Sequence, residues 1–347
     1  MIARGALCMA VCTTACATAC AAACATSNDD APAAWSTVFS ELDRVALSVW
    51  SGHPDDVYIV GGGLGASGAS ALALHWDGSR WRDLAPGREQ TLWWVTGVPE
   101  HPNDVWMVGE AGTVLRWDGT SFVSIASPTQ ATLFGAWAAA PDDVWIVGGI
   151  PGAGKAVDND VVLHWDGQHL VRDDTLPRRG TALLKVWGSD PGELWVVGEH
   201  GALWHRTQGR WDDHSMTSST LFSVHGCGRD DVYAVGGSQL LHFDGSAWSQ
   251  VGPSIYGSAI GVVCGRSGAL ITGAGGLKLR WDRLSGAWHD DQLVAPWDTD
   301  FHAAWIDAEG GNWVAGGNFN QASQDVPRVG IVAYYGARPP PADGSIR

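Results

Sequence analysis

The chain has 347 residues, 37 of them acidic against 21 Lys and Arg, and a formal net charge of -16. That balance excludes general nucleic-acid binding, which needs a basic surface to displace counterions from phosphates, and adsorption to anionic lipid. The 45% hydrophobic content excludes disorder for most of the chain, and a domain of this size buries enough surface to fold without metal or a dense disulfide set.

Residues 1–24 carry Arg4 and then small and apolar residues without any acid, the pattern of an export signal. Five of the seven cysteines lie here: Cys8, Cys12, Cys16, Cys20 and Cys24. Their spacing of four would share a helical face, but the rest of the chain supplies no partner ligands, so no metal is expected. Ala17-Thr18-Ala19-Cys20 and Ala21-Ala22-Ala23-Cys24 resemble the bacterial lipobox, which implies lipidation of Cys20 or Cys24. Cleavage after Ala25 by an ordinary signal peptidase is the alternative. Residues 25–33 read as a polar, flexible tether.

Residues 34–336 are organised by a repeat. The phrase D-V-aromatic-x-V-G ends at Gly61, Gly109, Gly148, with a Glu-Leu variant at Gly198, and again at Gly236; degenerate copies end at Gly273 and Gly316. Seven units of roughly 40 residues have the period of a β-propeller blade. In the first unit, Ala46–Trp50, Val57–Val60, Leu72–Trp76 and a segment at Trp81 read as four strands, with a Pro54-Asp55-Asp56 turn and an Asp77-Gly78 hairpin between them. The Asp-Gly turn returns at Asp118-Gly119, Asp166-Gly167 and Asp244-Gly245. Tryptophan recurs at fixed places: Trp50, Trp137, Trp187 and Trp305 on the first strand, and Trp106, Trp145, Trp195 and Trp313 on the second. Large flat side chains at equivalent points fill the wedges between stacked blades. A sugar-stacking platform should not recur in every blade. The fold class is therefore an all-β, seven-bladed propeller of four-stranded antiparallel blades. The seventh unit lacks a fourth strand, and Ala34–Val38 resembles the fourth strand of unit five. Trp35 is thus expected to begin a strand that completes the last blade and closes the ring. Residues 337–347 read as a disordered tail.

Several motifs dissolve in this context. Gly63–Gly68 matches G-x-G-x-x-G, but a repeat strand follows instead of a helix. Gly149–Ala156 resembles a P-loop but lacks the magnesium-binding hydroxyl at its last position. His75, His164, His205 and His242 share one repeat position with Arg116 and Arg280, and are expected to partner turn acids. Cys227 and Cys264 each lie nine residues before a repeat glycine, so equivalent positions on neighbouring blades and an exported chain suggest a disulfide. No catalytic residues, metal or cofactor are indicated.

Departures from the repeat are the candidate site. Long loops join strands two and three in units one, three and seven, at residues 62–71, 149–161 and 317–329. They should crowd one face beside the central channel. Asp158, Asn159, Asp160, Asn318, Asn320, Gln321, Gln324 and Asp325 make them polar, and are the candidate ligand-binding residues.

Residues 45–336 resemble a family of exported bacterial propellers with V-W-G, D-D-V-W-x-V-G and H-W-D-G-x-x-W repeats. The pattern is distantly similar to Asp-box sialidase-type propellers and to the photosystem II assembly-factor propeller. Trp76-Asp77-Gly78-Ser79-Arg80-Trp81 lacks the spacer of the Asp-box, and Tyr58, Tyr233 and Tyr334 sit at repeat positions, so no catalytic set carries over. The resemblance implies a noncatalytic binding or scaffold protein, monomeric, held to the membrane only through its lipidated cysteine, contacting protein or glycan in the cell envelope. A glycan-active hydrolase or lyase using Asp158, Asp160 and Asp325, and an assembly factor for an envelope complex, are the alternatives.

Overall fold

A computed structural model describes residues 33–64, 70–98, 100–319, 328–337 and 339–341. Seven four-stranded antiparallel sheets form a closed ring. Blade 1 holds β2 (Val45–His53), β3 (Asp56–Gly62), β4 (Leu72–Trp76) and β5 (Trp81–Asp83); blade 2 holds β6 (Leu92–Val98), β7 (His101–Gly109), β8 (Val114–Trp117) and β9 (Phe122–Ser124). Blade 3 holds β10 (Thr132–Ala140), β11 (Asp143–Gly149), β12 (Val161–Trp165) and β13 (Leu170–Arg172). Blade 4 holds β14 (Leu183–Asp190), β15 (Glu193–Gly198), β16 (Leu203–Thr207) and β17 (Arg210–Asp213). Blade 5 runs from β18 (Ser223–Gly228) through β19 (Asp231–Gly236) and β20 (Gln239–Phe243) to β21 (Trp248–Gln250). Blade 6 runs from β22 (Ala259–Gly265) through β23 (Gly268–Gly273) and β24 (Lys278–Asp282) to β25 (Ala287–Asp290). Blade 7 contains β26 (Asp300–Ile306), β27 (Asn312–Gly317) and β28 (Gly330–Gly336). Its outer strand is β1 (Ala34–Leu42), which pairs with β28 in the register Trp35↔Tyr335. The N-terminal strand thus closes the ring and covers the edge that β28 would otherwise leave open.

The repeat glycine marks a close approach of chains. A Cβ on Gly61, Gly148 or Gly316 would fall on the carbonyl oxygen of Val45, Thr132 or Asp300, at the start of the same blade's first strand. The hairpin glycines serve a different need: Gly78, Gly119, Gly167 and Gly245 have φ between +81° and +91°, which a side chain resists. The aspartate before each turns its Oδ1 back onto the next two free N–H groups, as Asp77 does with Ser79 and Arg80. Hydrogen bonding to the ionised form holds Asp118 and Asp244 down to about 2.

The histidine column behaves as its position suggests. His75, His164, His205 and His242 bond Asp56, Asp143, Glu193 and Asp231 at 2.7–3.2 Å. Each lies against the second-strand aromatic of its blade, Tyr58, Trp145, Trp195 or Tyr233, at ring separations of 4.0–4.4 Å. Arg116 takes the same place on Asp104. Blade 6 has Gly268 where the acid should be, and Arg280 turns instead to Asp291, at 2.6 Å.

Candidate functional site

The channel is built from the first strands, and its upper mouth depends on a bulge. In blades 1, 2, 3, 4, 6 and 7 the pairing of strands one and two slips by one residue just inside the start of strand one. A bulge re-aims the unpaired side chain. Trp93, Phe134, Leu184, Ile260 and His302 occupy five of these six bulges and line one cavity of about 550 Å³, joined by Phe222 beside the start of β18; Leu47, in the sixth, is buried away from it. That size and its mainly apolar wall match small-ligand and side-chain pockets. Trp93 meets Phe134 and His302 edge-on at 5.1 and 5.7 Å, and His302 meets Phe319 at 5.6 Å, so the aromatic wall is continuous.

The residue after each bulge is Ser48, Trp94, Gly135, Lys185, Gly261 or Ala303. Lys185 and Trp94 are the two large residues of a column that is otherwise small, and Lys185 is its one charge. Lys185 is 5% exposed. Its stem crosses Gly135, where a Cβ would lie 2.9 Å from Lys185 Cα. Its Nζ donates to Phe134 O at 2.7 Å and Leu184 O at 3.2 Å, and sits 4.4 Å from the Trp94 ring. No carboxylate pairs with it among the described residues. Burial alone pushes the amine down to about 7. His302 donates Nδ1–H to Leu47 O at 2.7 Å, because a carbonyl can only accept. Burial, and secondarily the nearby Lys185 charge, push His302 down to about 3, so it is neutral at physiological pH.

Below Lys185 the channel continues as a second chamber lined by Trp50, Trp94, Trp137, Trp187, Trp305 and His225. The six-membered rings of Trp50, Trp137 and Trp187 reach over glycines of the next blade, Gly97, Gly188 and Gly226, into the space where a Cβ would stand. His225 Nδ1 accepts Cys264 N–H, and burial lowers it to about 4. Cys227 and Cys264 form a disulfide between blades 5 and 6, with Cα atoms 4.9 Å apart. Their strand positions are not equivalent, although both lie nine residues before a repeat glycine. Cys227 is a bulge residue between Gly226 and Gly228, whereas Cys264 pairs directly with Ala269, because β22 reaches its two-residue turn without that bulge.

Among the described residues, the insertion loops reach the mouth through apolar side chains. Loop 62–71 contributes Leu64, loop 149–161 contributes Pro151, and loop 317–329 contributes Phe319. Asp158, Asn159, Asp160 and Asn318 shape the loops. Asp158 Oδ1 accepts Thr129 Oγ1 at 2.7 Å. Asn159 is fully buried; its Oδ1 accepts Ile150 N–H and its Nδ2 donates to Gly154 O, both at 2.7 Å. Asp160 is 3% exposed and accepts Gly180 N–H, Thr181 N–H and Thr181 Oγ1. Asn318 Oδ1 accepts Val329 N–H. Asn320, Gln321, Gln324, Asp325, Cys20 and Cys24 lie outside the described residues. Lys185 and the bulge residues were missed in the sequence; a repeat alignment registered on the first strand would expose the lysine.

No protein-family model matches the sequence, and no curated protein matches it. Solved structures share the fold. YCF48 bound to D1 peptide has a TM-score of 0.64 at 16% identity, covering 88% of this chain and 99% of that one. YCF48 from Cyanidioschyzon merolae has a TM-score of 0.59 at 14% identity, over 87% of this chain and 98% of that one. The RRP9 WD40 repeats give 0.66 at 8% identity, over 88% and 99%. These likenesses show a seven-bladed propeller.

Proposed function

We propose that this propeller is a noncatalytic binding protein that takes a segment of a partner protein into the upper mouth of its channel. The observation that carries the reading is the 550 Å³ aromatic cavity, to which all three insertion loops contribute an apolar residue. Large apolar side chains on a rigid ring suit an inserted anchor residue. One propeller of the same fold is described as bound to a peptide, which supports a protein ligand over a glycan. Two of the three loop acids on which a glycan-active site would rest, Asp158 and Asp160, already accept hydrogen bonds from their own scaffold; the third, Asp325, lies outside the described residues. The leader supports an exported chain in the cell envelope, tethered through Cys20 or Cys24 or released, and a scaffold or assembly role there.

Site-specific photo-cross-linking in intact cells tests this. A benzophenone side chain at Phe319, on the mouth, should give a discrete protein adduct. The same group at Val123, 48% exposed on outer strand β9, should not. Equal labelling from both positions, or none from Phe319, would overturn the reading.

A further inference from the structure

We propose that the channel mouth is a carboxylate site: the occupant is an apolar or aromatic monocarboxylate whose anionic end bonds Lys185 Nζ while its body lies among Trp93, Phe134, Phe222 and His302. This rests on the mouth being the binding site. An ammonium has three donors, and two of those of Lys185 go to Phe134 O and Leu184 O. The third has no partner among the described residues, on a side chain that lines the cavity and is 5% exposed. Carbonyl dipoles and the Trp94 face stabilise the charge but do not neutralise it. A buried unpaired charge is costly, and a carboxylate entering the cavity would supply the missing counter-charge.

The other charged or titratable groups that face this space are already held. Glu199 takes Gly152 N–H on Oε1 and Ala182 N–H on Oε2. Asp300 Oδ1 takes Gly275 N–H. His302 is neutral and tied to Leu47 O. His225 faces the lower chamber and is neutral too. None of them competes for the free donor. A doubly charged phosphate would find one donor and an aromatic wall, so a single carboxylate is the better fit. Two sources share that chemistry: a free arylalkanoic acid, and the C-terminal carboxylate of a peptide ending in an apolar residue.

The test is calorimetric titration of the exported chain at pH 6 with 3-phenylpropionate, its primary amide, an N-acetylated peptide ending in phenylalanine, and that peptide C-amidated. A charge-assisted bond to a largely buried ammonium should make each acid bind about tenfold to a hundredfold more tightly than its amide. The preference should vanish in Lys185→Met and survive in part in Lys185→Arg. It should also decay as pH rises past about 7, where the amine loses its proton. Equal binding of acid and amide, an acid preference that persists in Lys185→Met, or no binding of any probe would each overturn the proposal. The outcomes separate it from the parent reading. Phenylpropionate bound without the free-acid peptide keeps the carboxylate site and removes the protein ligand. Both peptides bound equally keeps the protein ligand and removes the carboxylate site.

Discussion

Two lysines are buried in this ring, and their surroundings differ in one respect. Lys278, fully buried between blades 6 and 7, donates to Gly276 O and Pro296 O and lies over Phe301 and Trp35 at 5.0 and 5.5 Å. Lys185 likewise donates to two carbonyls and lies over one indole. Lys278, however, has Asp291 and Asp290 near enough to raise its affinity for the proton, and burial brings it only to about 8. Lys185 has no acid to help it and borders an open cavity. The first is a closed electrostatic unit that joins the closing strand to its neighbours. The second is an open one, which is what a receptor for an anion requires.

The sharpest way to break the comparison is at the cover over Lys278. Trp35 covers that amine and donates Nε1–H to Asp291 at 2.8 Å. Trp35→Ala should cost about 3 kcal/mol from lost packing and the lost hydrogen bond to Asp291, which keeps its Arg280 partner, read as a fall in thermal midpoint. A change within 0.5 kcal/mol, roughly what distant surface substitutions give, would mean that the unit does not hold the ring shut. The mouth has its own structural support in Asp160, whose carboxylate satisfies two backbone N–H groups and a hydroxyl. Asp160→Ala should cost about 2–3 kcal/mol. It should weaken mouth ligands as loop 149–161 loosens, whereas Asp158→Ala, which loses one hydroxyl contact, should cost less.

Lys185→Met should do the reverse and stabilise the free protein at pH 6, by about 2 kcal/mol after its lost hydrogen bonds are set against the relieved charge. The sign follows from linkage. The folded amine titrates near 7 and the unfolded one near 10.5, so between those values the unfolded chain binds more protons and wild-type stability rises with pH. The advantage of the methionine variant is therefore largest below pH 7 and shrinks toward pH 10.5. Denaturant melts at pH 6, 8 and 10 measure it. A variant destabilised at pH 6 would make Lys185 a structural residue like Lys278.

These effects also explain what was legible in the sequence. The seven blades, the strand that closes them and the His–acid column follow from residues repeated at fixed offsets, because each blade solves the same packing problem. The bulge at Trp93, Phe134, Leu184, Ile260 and His302 leaves no such mark: the side chains differ, and only pairing shows that they share a direction. The insertion loops are legible as loops, but what Asn159 and Asp160 do is not. They are polar because a buried loop needs substitutes for ladder hydrogen bonds. Among the described residues, the loops add Leu64, Pro151 and Phe319 to the mouth. Counting to the repeat glycine pairs the two cysteines, although a bulge present in β18 and absent from β22 puts them one register step apart.

The smallest expected effect is the most discriminating. Lys278→Met relieves a buried charge but also strips Asp290 and Asp291 of their attraction to it, so the two contributions oppose. The net change at pH 6 should fall below about 1 kcal/mol in either direction. Its pH dependence should still be visible, and later than that of Lys185. The folded Lys278 amine titrates near 8, so its contribution to wild-type stability begins to rise about one pH unit above that of Lys185. Between pH 7 and 8 the stability difference between wild type and Lys185→Met should therefore change by about 1 kcal/mol, and that between wild type and Lys278→Met by only about a third as much. If both change by the same amount, the neighbouring acids do not distinguish the two lysines, and the open site at the channel mouth loses its electrostatic argument.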